Sequence, residues 1–425
     1  MDPVALQKRP NDLFVSYGHA DKNRVDTVVD WLRHSVGLKI WYDALSGNAA
    51  QRTSALLKDA IQSARGALIF LSPNWIASTW CKDEHEFTLT ERRRNDAYLV
   101  VAVQIDDMEL PEWFEIANVV DLRQFEPRSA AGLLRSMVPN PPGRVDNDQD
   151  VYFAGPWSRP SNAAKSTLRL LHRMGWRLVG DSPNLPSFTD SAKRITSIID
   201  TSRGLVAVLP FDKSKPPDCT SPWIMEEVRI AHGRGHPYLL LAEQDVRIPP
   251  DLAARAYGGG VVPLPSDGPE ASFQQTLSDF DDELARRAHS DKGAYSFLAT
   301  TLLSDQSEMD DLVSVIERAS NMACVRGQGL IGQHAQEAII NRIRDAAFVI
   351  ADVTEDNRNS LIEAGAARGA GTPLHLLCGL PPDARRETRF MFRDMEMNWY
   401  QDPLERLGAV YRIAKMYRRR ILTPE

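Results

Sequence analysis

The chain has 425 residues, more than one hydrophobic core usually supports, so the sequence predicts about two to four domains. Hydrophobic residues make up 43% of the chain and charged residues 25%, as in typical globular proteins, and no apolar run approaches the roughly 18 to 20 residues of a membrane span. The net charge of −7 argues against a general affinity for nucleic-acid phosphates. We therefore expect a soluble protein with no DNA and no membrane partner. The amino terminus lacks the features of a secretory signal, which indicates a cytoplasmic location.

No pattern in the sequence is typical of a disulfide framework or a metal site. The four cysteines are far apart and form no Cys-x-x-Cys pair: Cys81, Cys219, Cys324 and Cys378. His232 and His236 flank a glycine-containing helix end, which is more typical of a helix terminus than of a ligand pair. We interpret the basic run "YRRR" at 417–420 as a solvated helix face.

The first 125 residues alternate short apolar runs with amphipathic segments, the pattern of buried parallel strands and covering helices. The predicted strands are 12–17, 39–43, 66–72 and 97–105. This pattern predicts an open, doubly wound α/β domain over residues 1–136. A stretch rich in proline, glycine and acidic residues follows at 137–149 and is predicted to be a linker.

The same α/β pattern begins again near residue 150 and once more near residue 294. Residues 198–241 and 343–377 each read as strand, loop, Glu, helix, Gly, Pro and strand, so we infer two copies of one unit. The helical stretch at 272–293 is expected to close the first copy. The sequence thus predicts two tandem Rossmann-like domains, 150–290 and 291–425.

Four ordered motifs in the first domain resemble the bacterial type of Toll/interleukin-1 receptor (TIR) domain. They are "DLFVSYGHAD", "WYDALSG", "LKDAIQSARGALIFLSPNWIAST" and "WCKDE", and the resemblance covers roughly residues 10–125. It implies a flavodoxin-like fold. TIR domains serve as adaptors or as enzymes that cleave NAD+ at the nicotinamide N-glycosidic bond, and in the enzymes the catalytic glutamate lies four residues beyond a tryptophan. Trp80 and Glu84 match that spacing.

The chemistry explains why a single carboxylate can suffice. Loss of nicotinamide leaves an oxocarbenium-like charge on the ribose, which a carboxylate beneath the sugar stabilises. The leaving group departs as a neutral base and needs no acid. The alternative is that Glu84 is an acid in the first turn of a helix that interacts with the helix dipole, as Asp83 or Glu86 could.

The resemblance also implies substrate-binding residues around Glu84. Besides Trp80 they lie at the end of the first strand, where open α/β sheets bind ligands, and in the loop after the second strand. They are Phe14, Ser16, Tyr17, Asp43, Leu45, Ser46 and Gly47. In this family that loop contacts either the nucleotide or a neighbouring TIR domain, and Trp41 before it is expected in the core. Gly18 and His19 stand where some enzymatic relatives have basic residues, so no group is assigned to the pyrophosphate.

The second and third domains resemble nucleoside 2-deoxyribosyltransferase-like proteins, in which a glutamate is the nucleophile. Glu227 and Glu363 occupy that place. Each domain keeps only one half of the family's pattern, which favours ligand binding over turnover. Two such units in tandem are similar to the SAVED and CARF sensors of cyclic oligonucleotides. If their carboxyl-edge loops lie side by side, the messenger site includes Gly155, Pro156, Trp157, Ser158, Ser304, Asp305 and Gln306.

These interpretations together predict a defence effector of prokaryotes against phage. Its TIR domain would hydrolyse NAD+, as substrate and with no cofactor, when an adenine-containing cyclic oligonucleotide binds the carboxy-terminal domains. The family also implies self-association into TIR–TIR oligomers or filaments. Two alternatives stay open: a non-enzymatic TIR adaptor or scaffold, and a nucleoside-processing enzyme of the deoxyribosyltransferase type.

Overall fold

The protein folds into three α/β domains, each built on its own sheet. The structure is a computed structural model that describes residues 9–42, 54–111, 113–114, 116, 119–138, 150–156, 161–180, 191–265, 271–286, 293, 295–300, 305–327, 335–354, 358–379, 392, 394–418 and 420–421. Of the predicted linker at 137–149, Met137 and Val138 are described and belong to the buried core, and residues 139–149 lie outside the described ranges. The fold class expected from the sequence is confirmed.

The first domain carries a parallel sheet of order β2-β1-β3-β4-β5. Its strands are β1 (Leu13–Ser16), β2 (Ile40–Trp41), β3 (Gly66–Leu71), β4 (Leu99–Gln104) and β5 (Val119–Asp121). Its helices are α1 (Lys22–His34), α2 (Ser54–Ser63), α3 (Pro73–Ala77), α4 (Thr79–Arg94) and α5 (Pro127–Ser136). Every residue of β3 is buried, because helices cover both faces of the sheet.

The second domain repeats this strand order and gains one strand. Its sheet has the order β10-β9-β8-β6-β7-β16, in which only β16 is antiparallel to its neighbour. The strands are β6 (Asp150–Ala154), β7 (Arg177–Gly180), β8 (Gly204–Leu209), β9 (Tyr238–Ala242), β10 (Val262–Pro263) and β16 (Arg420–Ile421). The helices are α6 (Asn162–Arg173), α7 (Ser191–Asp200), α8 (Pro222–Gly233), α9 (Pro250–Arg255) and α10 (Ala271–Arg286).

The third domain has the same topology, with the order β12-β11-β13-β14-β15. Its strands are β11 (Tyr295–Ala299), β12 (Ala323–Arg326), β13 (Val349–Asp352), β14 (Leu374–Cys378) and β15 (Met397–Trp399). Its helices are α11 (Gln306–Ser320), α12 (Ala335–Asp345), α13 (Arg358–Ala370) and α14 (Pro403–Met416). Strand order 2-1-3-4-5 in all three domains is the flavodoxin-like order.

Helix α14 joins the third domain to the first. The indole N–H of Trp31 on α1 donates to the carbonyl oxygen of Leu404 at 2.8 Å, and the Arg412 guanidinium donates to the carbonyl oxygen of Ser35 at 2.9 Å. One hydrophobic cluster contains residues of both domains, including Leu32 and Val410. The first and third domains therefore share a core.

The basic run at 417–420 is not the solvated helix face that the sequence suggested. Tyr417 is buried one residue beyond α14, and its ring stacks on Phe348 with the centroids 4.2 Å apart. Arg418 donates to carbonyl oxygens at the end of α11, and Arg420 begins β16. The run instead carries the chain from the third domain back to the second sheet. The sequence assigned residues 291–425 to the third domain, but Arg420 within that range pairs with the second sheet.

Among the helices within the described ranges, none combines the length and the apolar composition that crossing a membrane requires.

Candidate active site

The candidate site lies at the carboxyl edge of the first sheet, between β1 and β3. Ser16 is the last residue of β1, and Ser72 directly follows β3. In this strand order the chain leaves β1 and β3 towards opposite sides of the sheet. Open α/β sheets bind ligands in the crevice that forms between two such strands. Glu84 reaches the crevice from α4, the second of the two helices that follow β3.

Two side chains hold the Glu84 carboxylate in place. Ser16 donates its hydroxyl to Oε2 at 2.5 Å, and the indole N–H of Trp80 donates to Oε1 at 2.8 Å. Glu84 is only 8% exposed, so few water molecules compete with these donors. Hydrogen bonds donated to both oxygens fix the orientation of the carboxylate and stabilise its charged form.

Glu84 is not an acid of the first helical turn. Helix α4 is capped by Ser78, whose side chain accepts from the Cys81 N–H at 3.2 Å, and Glu84 is the sixth helical residue. The dipole acts mainly on the first turn. Asp83 and Glu86 are exposed, whereas Glu84 points inward to β1. The dipole alternative therefore does not explain its position.

A buried layer that the sequence analysis did not single out supports Ser16. The indole N–H of Trp75 on α3 donates to the Ser16 hydroxyl oxygen at 2.9 Å. Ser72 caps α3 by accepting from the Trp75 N–H at 3.0 Å and donates its hydroxyl to Asp21 at 2.5 Å. The sequence "SPNW" carried a signal for this layer, since serine followed by proline is typical of a helix start.

Gly18 has a steric reason for its identity. A Cβ placed at Gly18 would lie 2.8 Å from the backbone N of Trp75 and 2.7 Å from Oδ2 of Asp21. The loop after β1 thus packs directly against the start of α3. This close approach accounts for the glycine where some enzymatic relatives have a basic residue.

The other predicted substrate residues have different positions. Phe14 is fully buried and stacks on Trp41, with the centroids 5.2 Å apart, so in this structure it supports the site from the core and is not exposed to a ligand. Trp41 is half-buried beside it. Tyr17 is half-buried, and its carbonyl oxygen accepts from the Cys81 thiol at 3.4 Å. Asp43, Leu45, Ser46 and Gly47 lie outside the described residues.

An aromatic cluster borders Trp75 on the side of β5. The His85 ring stacks on Phe114 with the centroids 5.2 Å apart, and Trp113 stacks on Trp75 at 6.1 Å. Trp113 is 42% exposed, whereas Trp75 and His85 are buried. The cluster packs around the indole that supports Ser16.

The second domain repeats part of this site. Helix α8 follows the third strand of its sheet as α4 does, and it has the same three residues at the same positions: Ser221 at the N-cap, Trp223 second and Glu227 sixth. Tyr152, on the first strand, donates its hydroxyl to Oε1 of Glu227 at 2.7 Å. Trp223 differs from Trp80, because it is 71% exposed.

The third domain keeps only the glutamate. Glu363 is again the sixth residue of the helix after the third strand. Burial raises the pKa of Glu363 to about 7. Its Oε1 would lie 2.7 Å from a Cβ placed at Gly327, which follows β12. Glu227 and Glu363, the two positions implied by the transferase resemblance, thus correspond structurally to Glu84.

Only some of the predicted messenger-binding residues belong to the described part of the chain. Trp157, Ser158 and Ser304 lie outside it. Gly155 and Pro156 follow β6 at the carboxyl edge of the second sheet. Asp305 caps α11 by accepting from the Ser307 N–H at 2.7 Å, and Gln306 donates to Asp310 at 2.7 Å.

One contact between the second and third domains lies at the opposite edge of their sheets. Ser197 at the end of α7 donates to the carbonyl oxygen of Ala347, just before β13, at 3.1 Å. A cleft of about 1050 Å³ opens there, lined by residues of all three domains that include His34, Asp200 and Arg344. The domains therefore meet at amino edges, and this contact does not place the predicted carboxyl-edge loops side by side.

Comparison with known proteins identifies the first domain. Residues 13–135 match the family model of the TIR domain, so the chain carries a TIR domain in its amino-terminal part. No curated protein matches the chain.

Two solved structures are similar to parts of the fold. The TIR domain of the Toll-related receptor TRR-2 from Hydra magnipapillata is 15% identical over 30% of this chain and 98% of that one, with a TM-score of 0.26. The C-terminal domain of glucosamine-fructose-6-phosphate aminotransferase from Francisella tularensis is 8% identical over 68% of this chain and 91% of that one, with a TM-score of 0.21.

Proposed function

We propose that the TIR domain of this chain hydrolyses NAD+ at the nicotinamide N-glycosidic bond, with Glu84 as the catalytic carboxylate. The observation that carries the proposal is the fixed carboxylate at the crevice between β1 and β3, held by Ser16 and Trp80 at 2.5 and 2.8 Å. TIR domains include both NAD+-cleaving enzymes and adaptors. An adaptor has no need of a buried carboxylate with a donor on each oxygen.

The reaction breaks the bond between C1′ of the ribose and the pyridinium nitrogen. The electron pair leaves with nicotinamide, which departs neutral, and the positive charge develops on the ribose. Glu84 stabilises that charge, and water then adds to C1′ and releases a proton, giving ADP-ribose. Each carboxylate oxygen can accept two hydrogen bonds, so the bonds from Ser16 and Trp80 are compatible with a ribose hydroxyl as a further donor.

The arrangement of the donors supports this role. Charges that are already oriented before the reaction stabilise a transition state without reorganisation, and burial strengthens the interaction. Ser16 is 1% exposed and Glu84 is 8% exposed, so the pair is nearly dry. A buried carboxylate with an oriented donor on each oxygen has the preorganisation that stabilising a developing cation requires.

We further propose that the carboxy-terminal domains control this activity in prokaryotic defence against phage. TIR domains self-associate, and binding of an adenine-containing cyclic oligonucleotide would favour the assembled, active state in the cytoplasm. What supports a direct effect on the TIR domain is its shared core with the third domain through α14. The TIR resemblance assigns the loop with Asp43 and Leu45 to contact with the nucleotide or with a neighbouring TIR domain. We propose the assembly role, and light scattering of Asp43→Ala and Leu45→Ala variants tests it.

The central experiment measures nicotinamide release from NAD+ by the full chain, with and without a panel of cyclic oligonucleotides. Glu84→Gln keeps the shape and removes the charge, so we expect a loss of roughly a hundred- to a thousandfold in rate. Glu86→Gln is the matched control, since Glu86 is exposed two residues further along the same helix, and it should retain the parent's rate.

The outcomes separate the candidate functions. Turnover by Glu84→Gln at the parent's rate would contradict the assigned role. If the parent releases no nicotinamide with any messenger yet still self-associates, the chain is an adaptor.

A further inference from the structure

A series of hydrogen bonds, joined through the backbone and the indole of Trp75, connects Asp21 to the hydroxyl of Ser16. The Asp21 carboxylate accepts from Ser72, Ser72 accepts from the Trp75 backbone N–H, the Trp75 indole donates to Ser16, and Ser16 donates to Glu84. Every residue of the series is buried, with exposures from 0% for Trp75 to 8% for Glu84. The three side chains between Asp21 and Glu84 come from β1 and from the start of α3.

The direction of the bond between Ser16 and Glu84 follows from the chemistry of the groups. An indole N–H can only donate, and a serine hydroxyl has one proton. Because Trp75 donates to the Ser16 oxygen at 2.9 Å, the single proton of Ser16 is free to point at Glu84, 2.5 Å away. An ionised carboxylate can only accept, so the arrangement has one consistent direction.

We infer that Trp75 is a positioning residue for the proposed reaction: it fixes the Ser16 hydroxyl so that Ser16 donates to Glu84 and holds the catalytic carboxylate. The inference rests on the proposed function. Trp75 is fully buried, so its proposed effect on the rate passes through Ser16.

The surrounding structure keeps Trp75 from moving away. Its ring stacks on Trp113 with the planes 24° apart and meets Phe114 and His85 edge-on. The backbone N–H of Trp75 is bonded to Ser72, which Asp21 anchors in turn. Asn74 donates to the second oxygen of Asp21 at 2.8 Å. The loop after β1 and the start of α3 therefore form one rigid support.

A role of Trp75 in packing alone predicts a different pattern of kcat values from a role through Ser16. The test therefore compares four variants of the full chain. Trp75→Phe removes the indole N–H, Ser16→Ala removes the hydroxyl, and the double variant removes both. Trp176→Phe is the matched control, because Trp176 is another buried tryptophan that lies in the core of the second domain, outside the contact between α1 and α14.

If Trp75 acts through Ser16, the two substitutions are not additive. Each single variant should lower kcat by roughly ten- to a hundredfold with little change in KM, as loss of a hydrogen bond to a charged group does. The double variant should be no slower than Ser16→Ala alone, and Trp176→Phe should keep the parent's kcat. The inference would be overturned if the rate losses of the two single variants multiplied in the double variant, or if Trp75→Phe behaved like Trp176→Phe.

A pH profile adds a readout that packing alone would not change. Loss of a donor makes a carboxylate ionise less readily, so the acid limb of kcat should move to higher pH in Trp75→Phe but not in Trp176→Phe. The other titratable groups of the elements around Glu84 are unchanged in these variants: Tyr17, His19, Asp21, Cys81, Lys82, Asp83, His85 and Glu86.

A measurement without turnover separates this inference from the proposed function. In chain labelled with ¹³C at the glutamate carboxyl carbons, the Glu84 signal is identified by its loss in Glu84→Gln and titrated with pH. The midpoint should rise in Trp75→Phe. An unchanged midpoint overturns the positioning role, whereas a parent that cleaves no NAD+ while the midpoint rises overturns only the proposed reaction.

Discussion

Trp80 donates its indole N–H to Oε1 of Glu84 at 2.8 Å, across one turn of α4. Residues four apart lie on the same face of a helix, so the spacing that marks this pair in the sequence is also what brings the two groups together. The tryptophan therefore orients the glutamate that follows it.

Replacing Trp80 with phenylalanine should slow NAD+ cleavage. Trp80→Phe keeps an aromatic ring but removes the donor to Oε1 of Glu84, so we expect kcat to fall roughly ten- to a hundredfold. The matched control is Trp223→Phe, at the same position of α8 in the second domain, which should keep the parent's kcat. Steady-state nicotinamide release measures both, and a Trp80→Phe variant with the parent's kcat would contradict an orienting role.

In the second domain the carboxylate of Glu227 depends on Tyr152. Tyr152→Phe removes the hydroxyl that donates to Glu227 at 2.7 Å in a fully buried position, and leaves the carboxylate without that donor. We expect a loss of about 1.5 to 3 kcal/mol in the free energy of unfolding. Urea titration followed by fluorescence measures it, with Tyr257→Phe in the same domain as control. Equal midpoints for the two variants would show that the bond contributes little.

Glu363 should make the stability of the third domain depend on pH. Its pKa is about 7 in the folded protein against 4.5 for the unperturbed group, because burial disfavours the charge. Below pH 4.5 the carboxyl is protonated in both states and has no effect. As pH rises past 7 the folded state must carry a buried charge, which costs about 3 kcal/mol.

Glu363→Gln should therefore raise the Tm at pH 8, and this advantage should fade as the pH falls towards 4.5. Calorimetry at a series of pH values tests this, and Glu337→Gln, at an exposed position on α12, should show no such trend. A Glu363→Gln advantage that is equal at pH 5 and pH 8 would disprove a buried charge as the cause.

The contact between α14 and the TIR domain leaves no space for a larger side chain at Gly408. A Cβ there would lie 2.8 Å from Cβ of Ser35 and 2.9 Å from its carbonyl carbon. Gly408→Ala should destabilise the interface by about 1 to 3 kcal/mol and lower the melting temperature of the shared core. Gly369→Ala, where nothing lies within 4 Å of the added carbon, is the control. Gly408→Ala and Gly369→Ala with the same melting temperature would refute the close approach.

The sequence predicted the long buried strands well, because apolar runs such as residues 66–72 can be satisfied only between two layers of helices. It did not predict β5, β15 or β16, which have two or three residues and carry little periodicity, although the equally short β2 lies within the predicted strand 39–43. Glu84 and Trp80 were identifiable because their spacing is local. The bond from Trp75 to Ser16 joins two separate motifs 59 positions apart, and only the folded chain brings them together.

The internal repeat was also only partly visible. Comparing 198–241 with 343–377 revealed the second and third domains, but the match of Ser221, Trp223 and Glu227 to Ser78, Trp80 and Glu84 became clear only from helix positions. The packing of α14 was not predictable either. Nothing in the sequence indicates that the N–H of Trp31 meets an oxygen 373 positions further on.

The pairing of β16 with β7 has a consequence for the nascent protein. Arg420 pairs with Gly180, 240 positions earlier, so the second sheet cannot be completed until almost all of the described chain has left the ribosome. At about 5 to 20 residues per second, β7 waits on the order of ten to fifty seconds with one edge uncovered. An uncovered strand edge is a template for pairing with another chain. Neighbouring ribosomes on one messenger RNA hold several such edges close together, so during synthesis this protein is most exposed to mispairing with its own copies.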